Sequence, residues 1–282
     1  MIRAAVLGSP ISHSLSPTLH KRAYEILGVA GLYEAIEVSE VEFPQFMAEA
    51  ISIDSKINWR GFSLTMPLKE IAANTLSEVD PVASRIASAN TVIINRSQND
   101  VNLQVISTDV SAFSNIFNRM ELTQDCHVSV IGGGGTARAA IAALDGRVSR
   151  INIYQRSEKR NRVIANAALI SELVFHDFSQ LSDISRSVLA VSTVPKTASD
   201  FLLSSLPSKL KKEQTLFDVS YSPWPSASLS AWDIAGGSII DGLELLIRQA
   251  LEQIRMMTMV SFDFEEMHKA LRMHAMEVIN NA

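Results

Sequence analysis

Val128-Ser129-Val130-Ile131-Gly132-Gly133-Gly134-Gly135-Thr136-Ala137-Arg138 reads as a buried strand running into a glycine loop that opens a helix over Ala137–Leu144. A pyrophosphate needs main-chain N–H groups at a helix N-terminus and no Cβ in the way, and Gly132 and Gly134 supply both. Ala137 is small enough for close contact between helix and strand. Four glycines in a row also suit a plain flexible turn, so the surroundings decide. The next strand ends at Tyr154-Gln155-Arg156-Ser157-Glu158-Lys159-Arg160, about twenty residues on, where a dinucleotide fold meets the adenosine ribose. An acidic residue there would accept from the 2′-hydroxyl of NAD. Arg156 stands there instead, with Arg160 one turn further, and two guanidinium groups with the Ser157 hydroxyl suit a 2′-phosphate. NADP(H) is therefore the expected cofactor.

Outward from this loop, short β-like runs alternate with longer helical patterns, which argues for parallel βαβ construction. Strands are expected at Ile2–Leu7, Leu32–Val38, Gly61–Thr65, Thr91–Asn95 and Asn102–Ile106, with helices over Ser16–Leu27, Glu42–Ile51 and Lys69–Leu76. Ser16-Pro17 reads as a Ser N-cap with Pro at the first helical position. After Asp109 a helical pattern covers Val110–Met120, and strands recur at His127–Ile131, Ile151–Tyr154, Val188–Ser192, Thr215–Val219 and Ser238–Ile240. Such alternation predicts a doubly wound sheet. From Gly242 a long helical pattern carries Met256, Met257, Met259, Met267, Met273 and Met276, a stripe expected to pack in the core.

The chain has 282 residues, 47% hydrophobic and 20% charged, with a formal net charge of −5, which is the balance of a globular protein with a sizeable core. Nucleic acid and anionic membranes reward clustered Lys and Arg, so a small molecule is the expected partner. The one cysteine, Cys126, excludes an intrachain disulfide and is expected to be a small buried hydrophobe. The N-terminus reaches a Gly-Ser-Pro turn before a signal-peptide core is complete, and no run approaches the roughly 18 apolar residues of a membrane helix. A cytoplasmic location is the expectation. The six histidines show no ligand spacing, so no metal is expected.

Two further segments carry chemistry: Gly61-Phe62-Ser63-Leu64-Thr65-Met66-Pro67-Leu68-Lys69 and Ser107-Thr108-Asp109. One offers a cation and the other a carboxylate, each just past an apolar stretch. Taken singly, Lys69 reads as a surface charge and Asp109 as a helix N-cap. Together beside a nucleotide loop they would form a proton-transfer pair next to a hydride donor.

From near the N-terminus to Gln249 the chain resembles the shikimate dehydrogenase family. The resemblance rests on His13-Ser14-Leu15-Ser16-Pro17 with His20, Gly61 to Lys69, Ser88-Ala89-Asn90-Thr91, Thr108-Asp109 and Gly132 to Arg138. It extends through Arg156 to Arg160, Asp218-Val219-Ser220-Tyr221-Ser222-Pro223, and Asp241-Gly242-Leu243 through Gln249. It implies an α/β protein with a mostly parallel substrate-binding domain over 1–108, a Rossmann-like NADP domain over 109–241 and C-terminal helices over 242–282 that return to the first domain. The implied reaction is reversible reduction of 3-dehydroshikimate to shikimate, on the path to chorismate and the aromatic amino acids. Lys69 and Asp109 would be catalytic. Ser14 and Ser16, helped by Tyr221, would hold the carboxylate, and Thr65, Lys69, Asn90, Asp109 and Gln249 would meet the hydroxyls and the reacting carbonyl. Gly132, Gly133, Gly134, Gly135, Thr136, Gln155, Arg156, Ser157, Arg160, Val219 and Gly242 would hold the cofactor, in a monomer or homodimer.

Several positions depart from the family pattern: Lys21, Ser63, Ser107, Val110, Gln155, Ser226, the Val191–Pro195 strand end, and Glu244-Leu245. Similar variants occur in relatives that also oxidise quinate, so an NAD(P)-dependent quinate/shikimate dehydrogenase is the alternative, and a non-catalytic nucleotide-binding regulator a third reading. Ser14, Ser16 and Arg156 lean toward shikimate and NADP. Ser107 and Val110 leave the hydrogen bonding around Asp109 open.

Overall fold

Strand β1 (Ile2–Gly8) is an interior strand of the first sheet, with four consecutive fully apolar residues, Ala4 to Leu7, buried on both faces. The structure, a computed structural model, describes residues 1–195 and 199–281. It divides into two compact units, one of Met1–Thr108 with Leu246–Ala282 and the other of Asp109–Leu245.

In the first unit, β1 pairs in parallel with β2 (Gly31–Glu37) and β3 (Trp59–Leu64), and the sheet order is β2-β1-β3-β4-β5. A mostly parallel sheet was the expectation, and it holds only as far as β3. Strand β4 (Thr91–Arg96) pairs antiparallel with β3, and β5 (Val101–Ile106) pairs antiparallel with β4, the second reversal being made by the tight connection at residues 97–100. The start of β4 and the end of β5 thereby fall at the same edge as the carboxyl ends of β1 and β3.

Helices α1 (Ser16–Ile26), α2 (Phe43–Ile51), α3 (Leu68–Thr75) and α4 (Pro81–Arg85) connect these strands. One face of the sheet, with Leu7, Phe62, Leu64, Val92 and Val105, buries against Phe43, Met47, Leu68, Ala72 and Ala83. Each such large side chain contributes roughly 1.5–3 kcal/mol by leaving water. Ser16 differs from expectation: it is the first helical residue, and Leu15 stands at the N-cap with no side-chain bond.

The second unit opens with α5 (Thr108–Phe117), whose first residue belongs to the first unit. Asp109 therefore sits inside the first turn rather than at an N-cap. Six strands follow: β6 (Val128–Ile131), β7 (Arg150–Gln155), β8 (Glu172–Asp177), β9 (Leu189–Ser192), β10 (Thr215–Asp218) and β11 (Ser238–Ile240). All pairings are parallel and the order is β11-β10-β9-β6-β7-β8, the doubly wound arrangement in which order reverses at β6 and β9. Helices α6 (Gly135–Leu144), α7 (Asn161–Ala165), α8 (Ser199–Ser205) and α9 (Ala227–Ile234) connect them. Among the described residues Trp232, Tyr154, Leu216 and Leu229 are at the heart of this unit's core.

The C-terminal pattern is two helices, α10 (Gly242–Thr258) and α11 (Phe264–Asn280). Met257 and Met267 are buried as expected of the stripe, but Met259 and Met273 are 76% and 67% exposed. Met259 ends α10 in the left-handed region at φ 57, which swings the chain out of helical phase. Cys126 is another correction. It lies half-buried in the turn before β6, where its Sγ accepts the main-chain N–H of Thr123 at 3.3 Å.

Candidate active site

At the carboxyl edge of the first sheet the sequence turns polar. Leu64 donates its main-chain N–H to the Asn90 carbonyl at 2.8 Å, Thr65 to Leu7 at 2.9 Å, and Asn90 to Ile106 at 3.1 Å, so the ends of β1, β3, β4 and β5 are aligned in one row. Ser14 and Ser16 follow β1. Ser14 Oγ accepts the Ser16 N–H at 3.3 Å, and Ser16 is buried. Thr65 follows β3 and closes a turn by accepting the Leu68 N–H at 2.8 Å. Lys69 is half-buried in the first turn of α3, and its carbonyl accepts the N–H of Ala89, the neighbour of Asn90.

Asn90 is the hub of the row and only 2% exposed. Its Oδ1 accepts the main-chain N–H of Thr108 at 2.7 Å and the Thr108 hydroxyl at 3.1 Å. Its Nδ2 donates to Thr108 Oγ1 at 2.9 Å and to Gln249 Oε1 at 3.3 Å. Gln249 is fixed in turn by donating to the Leu246 carbonyl at 2.7 Å. Three predicted or adjoining site residues, Asn90, Thr108 and Gln249, are thus brought into direct contact. The turn before Asp109 is held from the Asn90 side, whatever Ser107 does. The Ser107 hydroxyl is buried without a hydrogen-bond partner. Asp109 itself is 3% exposed.

Residues not singled out from the sequence as site groups complete this region. Gln253, one turn after Gln249, is fully buried and donates to Thr91 Oγ1 at 2.8 Å and to the Asn90 carbonyl at 3.3 Å. Ser63 donates to Gln253 Oε1 at 2.7 Å and accepts from Tyr33 at 2.5 Å. Strand β4 lies close over residue 61, which has no side chain. A Cβ on Gly61 would lie 2.5 Å from the Val92 carbonyl and 3.3 Å from Met257. Beneath, His20 stacks on Tyr33 with ring centroids 3.8 Å apart. Burial drives its pKa down to about 3, against a weaker opposing influence from the Gln253 amide, so the ring is neutral.

In the second unit the glycine loop follows β6 at the switch point. Gly132 has φ +115, and a Cβ there would stand 2.4 Å from Thr193 Oγ1 on the loop after β9. A residue with a side chain would be strained there. Gly133 lies against Ile164 and the Gln155 amide, Gly134 precedes α6 with open space where a side chain would be, and Gly135 and Thr136 begin the helix. Arg138, fully buried, donates to the Gly133 carbonyl at 3.2 Å and braces the loop from inside. A helix start preceded by glycines suits an anion.

Gln155 ends β7 and donates to Asn161, so its amide is engaged within the unit. Arg156, Ser157, Lys159 and Arg160 after it are all exposed, with the Ser157 hydroxyl capping the short turn by accepting the Lys159 N–H at 3.3 Å. Three cations without an acidic strand-end residue fit a phosphate monoester better than a ribose diol. These donors therefore fit NADP.

Tyr221 follows β10 in a loop organised by Asp218, which accepts from Ser226 Oγ at 2.7 Å and from the Ser220 N–H at 3.1 Å. Burial pushes the Tyr221 phenol up, keeping it protonated and able to donate. Burial likewise raises the Asp218 carboxyl, against those hydrogen bonds. Val219 donates its N–H to the Ser192 carbonyl at 3.0 Å, and Gly242 is the first residue of α10. Among the described residues no group of three His, Cys, Asp or Glu could hold a metal ion, and no helix is long and apolar enough to cross a membrane.

Comparison with known proteins adds to this geometry. Residues 6–92 match the model of the shikimate dehydrogenase substrate binding domain. The shikimate dehydrogenase (NADP(+)) of Methanothrix thermoacetophila is 30% identical over 95% of this chain and 96% of its own length. Among solved structures, the Mycobacterium tuberculosis shikimate dehydrogenase is 30% identical with a TM-score of 0.78, covering 96% of this chain and 99% of that one. The Thermus thermophilus enzyme in complex with NADP(H) and shikimate is 27% identical with a TM-score of 0.76, covering 97% and 100%.

Proposed function

The chain belongs to the shikimate dehydrogenase family, and we propose that it interconverts 3-dehydroshikimate and shikimate with NADP(H). The observation that carries this reading is the buried row of Asn90, Thr108 and Gln249 at one edge of the first sheet, on the same edge as Ser14, Ser16, Thr65 and Lys69. A polyol acid needs amides that accept and donate to vicinal hydroxyls, hydroxyl donors for its carboxylate, and a cation at the reacting oxygen.

In this reading Ser14, Ser16 and Tyr221 donate to the carboxylate. Asn90, Gln249 and Thr65 orient the ring by its hydroxyls. When bound, NADPH supplies the hydride. Lys69 stabilises the charge developing on the carbonyl oxygen and delivers a proton to it, and Asp109 is the carboxylate partner in that transfer. In the reverse direction the same pair takes the hydroxyl proton. Gly132 to Thr136 hold the pyrophosphate and Arg156, Ser157 and Arg160 the 2′-phosphate. The lone cysteine is in keeping with the cytoplasm, and a monomer or homodimer is the working state in this reading.

The test is NADP⁺ reduction with shikimate, followed at the NADPH absorbance band, against quinate and against NAD⁺. Lys69→Ala is expected to lose about 10²–10⁴-fold in turnover, the usual worth of a positioned acid–base group, while still binding NADPH. Near-normal turnover in that variant removes Lys69 from the mechanism.

A further inference from the structure

We propose that Gln253 is a positioning residue for the substrate pocket, holding the Asn90 main chain and the Thr91 and Thr108 hydroxyls among which the Asn90 amide is seated; this rests on the dehydrogenase reading above. The orientation of every amide in the set follows from main-chain groups that can play one role only. The Asn90 carbonyl can only accept, so the Gln253 atom 3.3 Å from it is Nε2. Gln253 Oε1 therefore faces Ser63 Oγ, which must donate to it and so must accept from the Tyr33 hydroxyl. The same Nε2 donates to Thr91 Oγ1 and lies 3.4 Å from Thr108 Oγ1. Thr91, having accepted, turns its own proton toward Asn90 Oδ1 at 3.2 Å or Thr108 Oγ1 at 3.0 Å.

The Thr108 N–H can only donate, so Asn90 presents Oδ1 to it and Nδ2 to Gln249. One amide thus joins β3, the start of β4 and the start of α5 to α10, from a point completely out of water. Burying so many polar atoms is costly unless each is paired, and an apolar residue at 253 would leave the buried Ser63 and Thr91 hydroxyls without this partner. What the network adds is direction. Flipping Asn90 or Gln249 would exchange donor for acceptor toward a diol, which reads the two differently.

The experiment compares Gln253→Met and Gln253→Glu with the unmodified chain. Gln253→Met keeps the length and removes the bonds. Its KM for shikimate should rise about tenfold, the worth of one or two buried hydrogen bonds, with kcat and the KM for NADP⁺ held within about threefold. Amide hydrogen exchange at Thr108 in the ligand-free protein should quicken by a similar factor. In Gln253→Glu a protonated carboxyl reproduces the acceptor toward Ser63 and the donor toward Thr91, whereas an ionised one only accepts. The Gln253→Glu defect in KM should therefore be small at acid pH and grow as pH rises, while the Gln253→Met defect stays flat. Unchanged KM and unchanged Thr108 exchange in Gln253→Met overturn the proposal, as does an equal loss in both variants at every pH accompanied by weaker NADP⁺ binding. If Gln253→Met does not fold, Tyr33→Phe removes the first donor of the chain and is read by the same two measurements. Should the unmodified chain fail to oxidise shikimate, the functional reading falls while Thr108 exchange still decides the role of Gln253.

Discussion

Asn90 Oδ1 accepts the main-chain N–H of Thr108 at 2.7 Å, so a side chain just ahead of β4 sets the first turn of α5 and with it the point from which Asp109 projects. Asn90→Asp keeps that acceptor but turns a second carboxylate oxygen toward Gln249 Oε1, acceptor against acceptor. Stability should fall by about 1–3 kcal/mol, and the KM for shikimate should rise more than that for NADP⁺. Denaturant melts and two-substrate kinetics measure both. An Asn90→Asp variant with normal stability and KM would remove Asn90 from its central place.

The contact of Gly132 with Thr193 sets a second expectation. Gly132→Ala introduces a Cβ at φ +115 and within 2.4 Å of Thr193 Oγ1, so both strain and collision act together. A loss of about 1–3 kcal/mol and a weakened affinity for NADP⁺, read by melting and by fluorescence titration, are expected.

Arg156, exposed at the end of β7, should act on the cofactor alone. Arg156→Ala is expected to raise the KM for NADP⁺ about 10–100-fold, the range for a lost charge-assisted contact. The KM for NAD⁺, which has no 2′-phosphate, should move little. Equal changes for both cofactors would place the guanidinium elsewhere.

His20 gives a pH signature. Its pKa in the folded chain is about 3, below the ordinary value of 6.5, because burial disfavours the charged ring. Below pH 6.5 the unfolded chain takes up a proton that the folded chain refuses. The stability His20 allows is therefore complete above 6.5 and declines as pH falls toward 3, by up to about 1.4 kcal/mol per pH unit. His20→Phe can keep the stack on Tyr33 and should flatten that part of the profile in urea melts at pH 5 and 7. An unchanged slope would assign the acid sensitivity to other groups.

Strand ends and glycine loops were legible because main-chain requirements leave marks in one stretch of sequence. The row Val128 to Arg138 shows strand, loop and helix start in eleven residues, and the cations after Gln155 follow at the spacing a ribose demands. Gln253 was not legible as a site residue. On a long amphipathic helix a glutamine ordinarily belongs to the wet face, and its burial depends on Ser63 and Thr91, far earlier in the chain, meeting its amide. A signal was present: Gln249 and Gln253 stand four apart on the stripe of Ala250, Ile254 and Met257, two amides on an otherwise apolar face. Strand β8 escaped because Glu172, His176 and Asp177 interrupt its apolar run, and they are tolerated since β8 is the sheet's outer strand. The antiparallel turn of β4 and β5 was hidden for a different reason. Strand direction is set by a four-residue connection, not by the strands' own composition.

The first unit is assembled from the two ends of the chain, and this bears on how the protein is made. Asn90, Thr91 and Thr108 leave the ribosome well before Gln249 and Gln253, with the whole of the second unit translated in between. At about 5–20 residues per second, that delay is on the order of ten seconds. For that interval the first sheet carries unsatisfied polar groups at its edge and an incompletely covered apolar face at Ala4, Val6, Tyr33 and Ile93, where Ile11 and Tyr24 are joined only later by Met257. The contiguous Rossmann-like unit is under no such wait. Nascent chains arrested near residue 245 should therefore offer chaperones the N-terminal sheet, not the nucleotide fold.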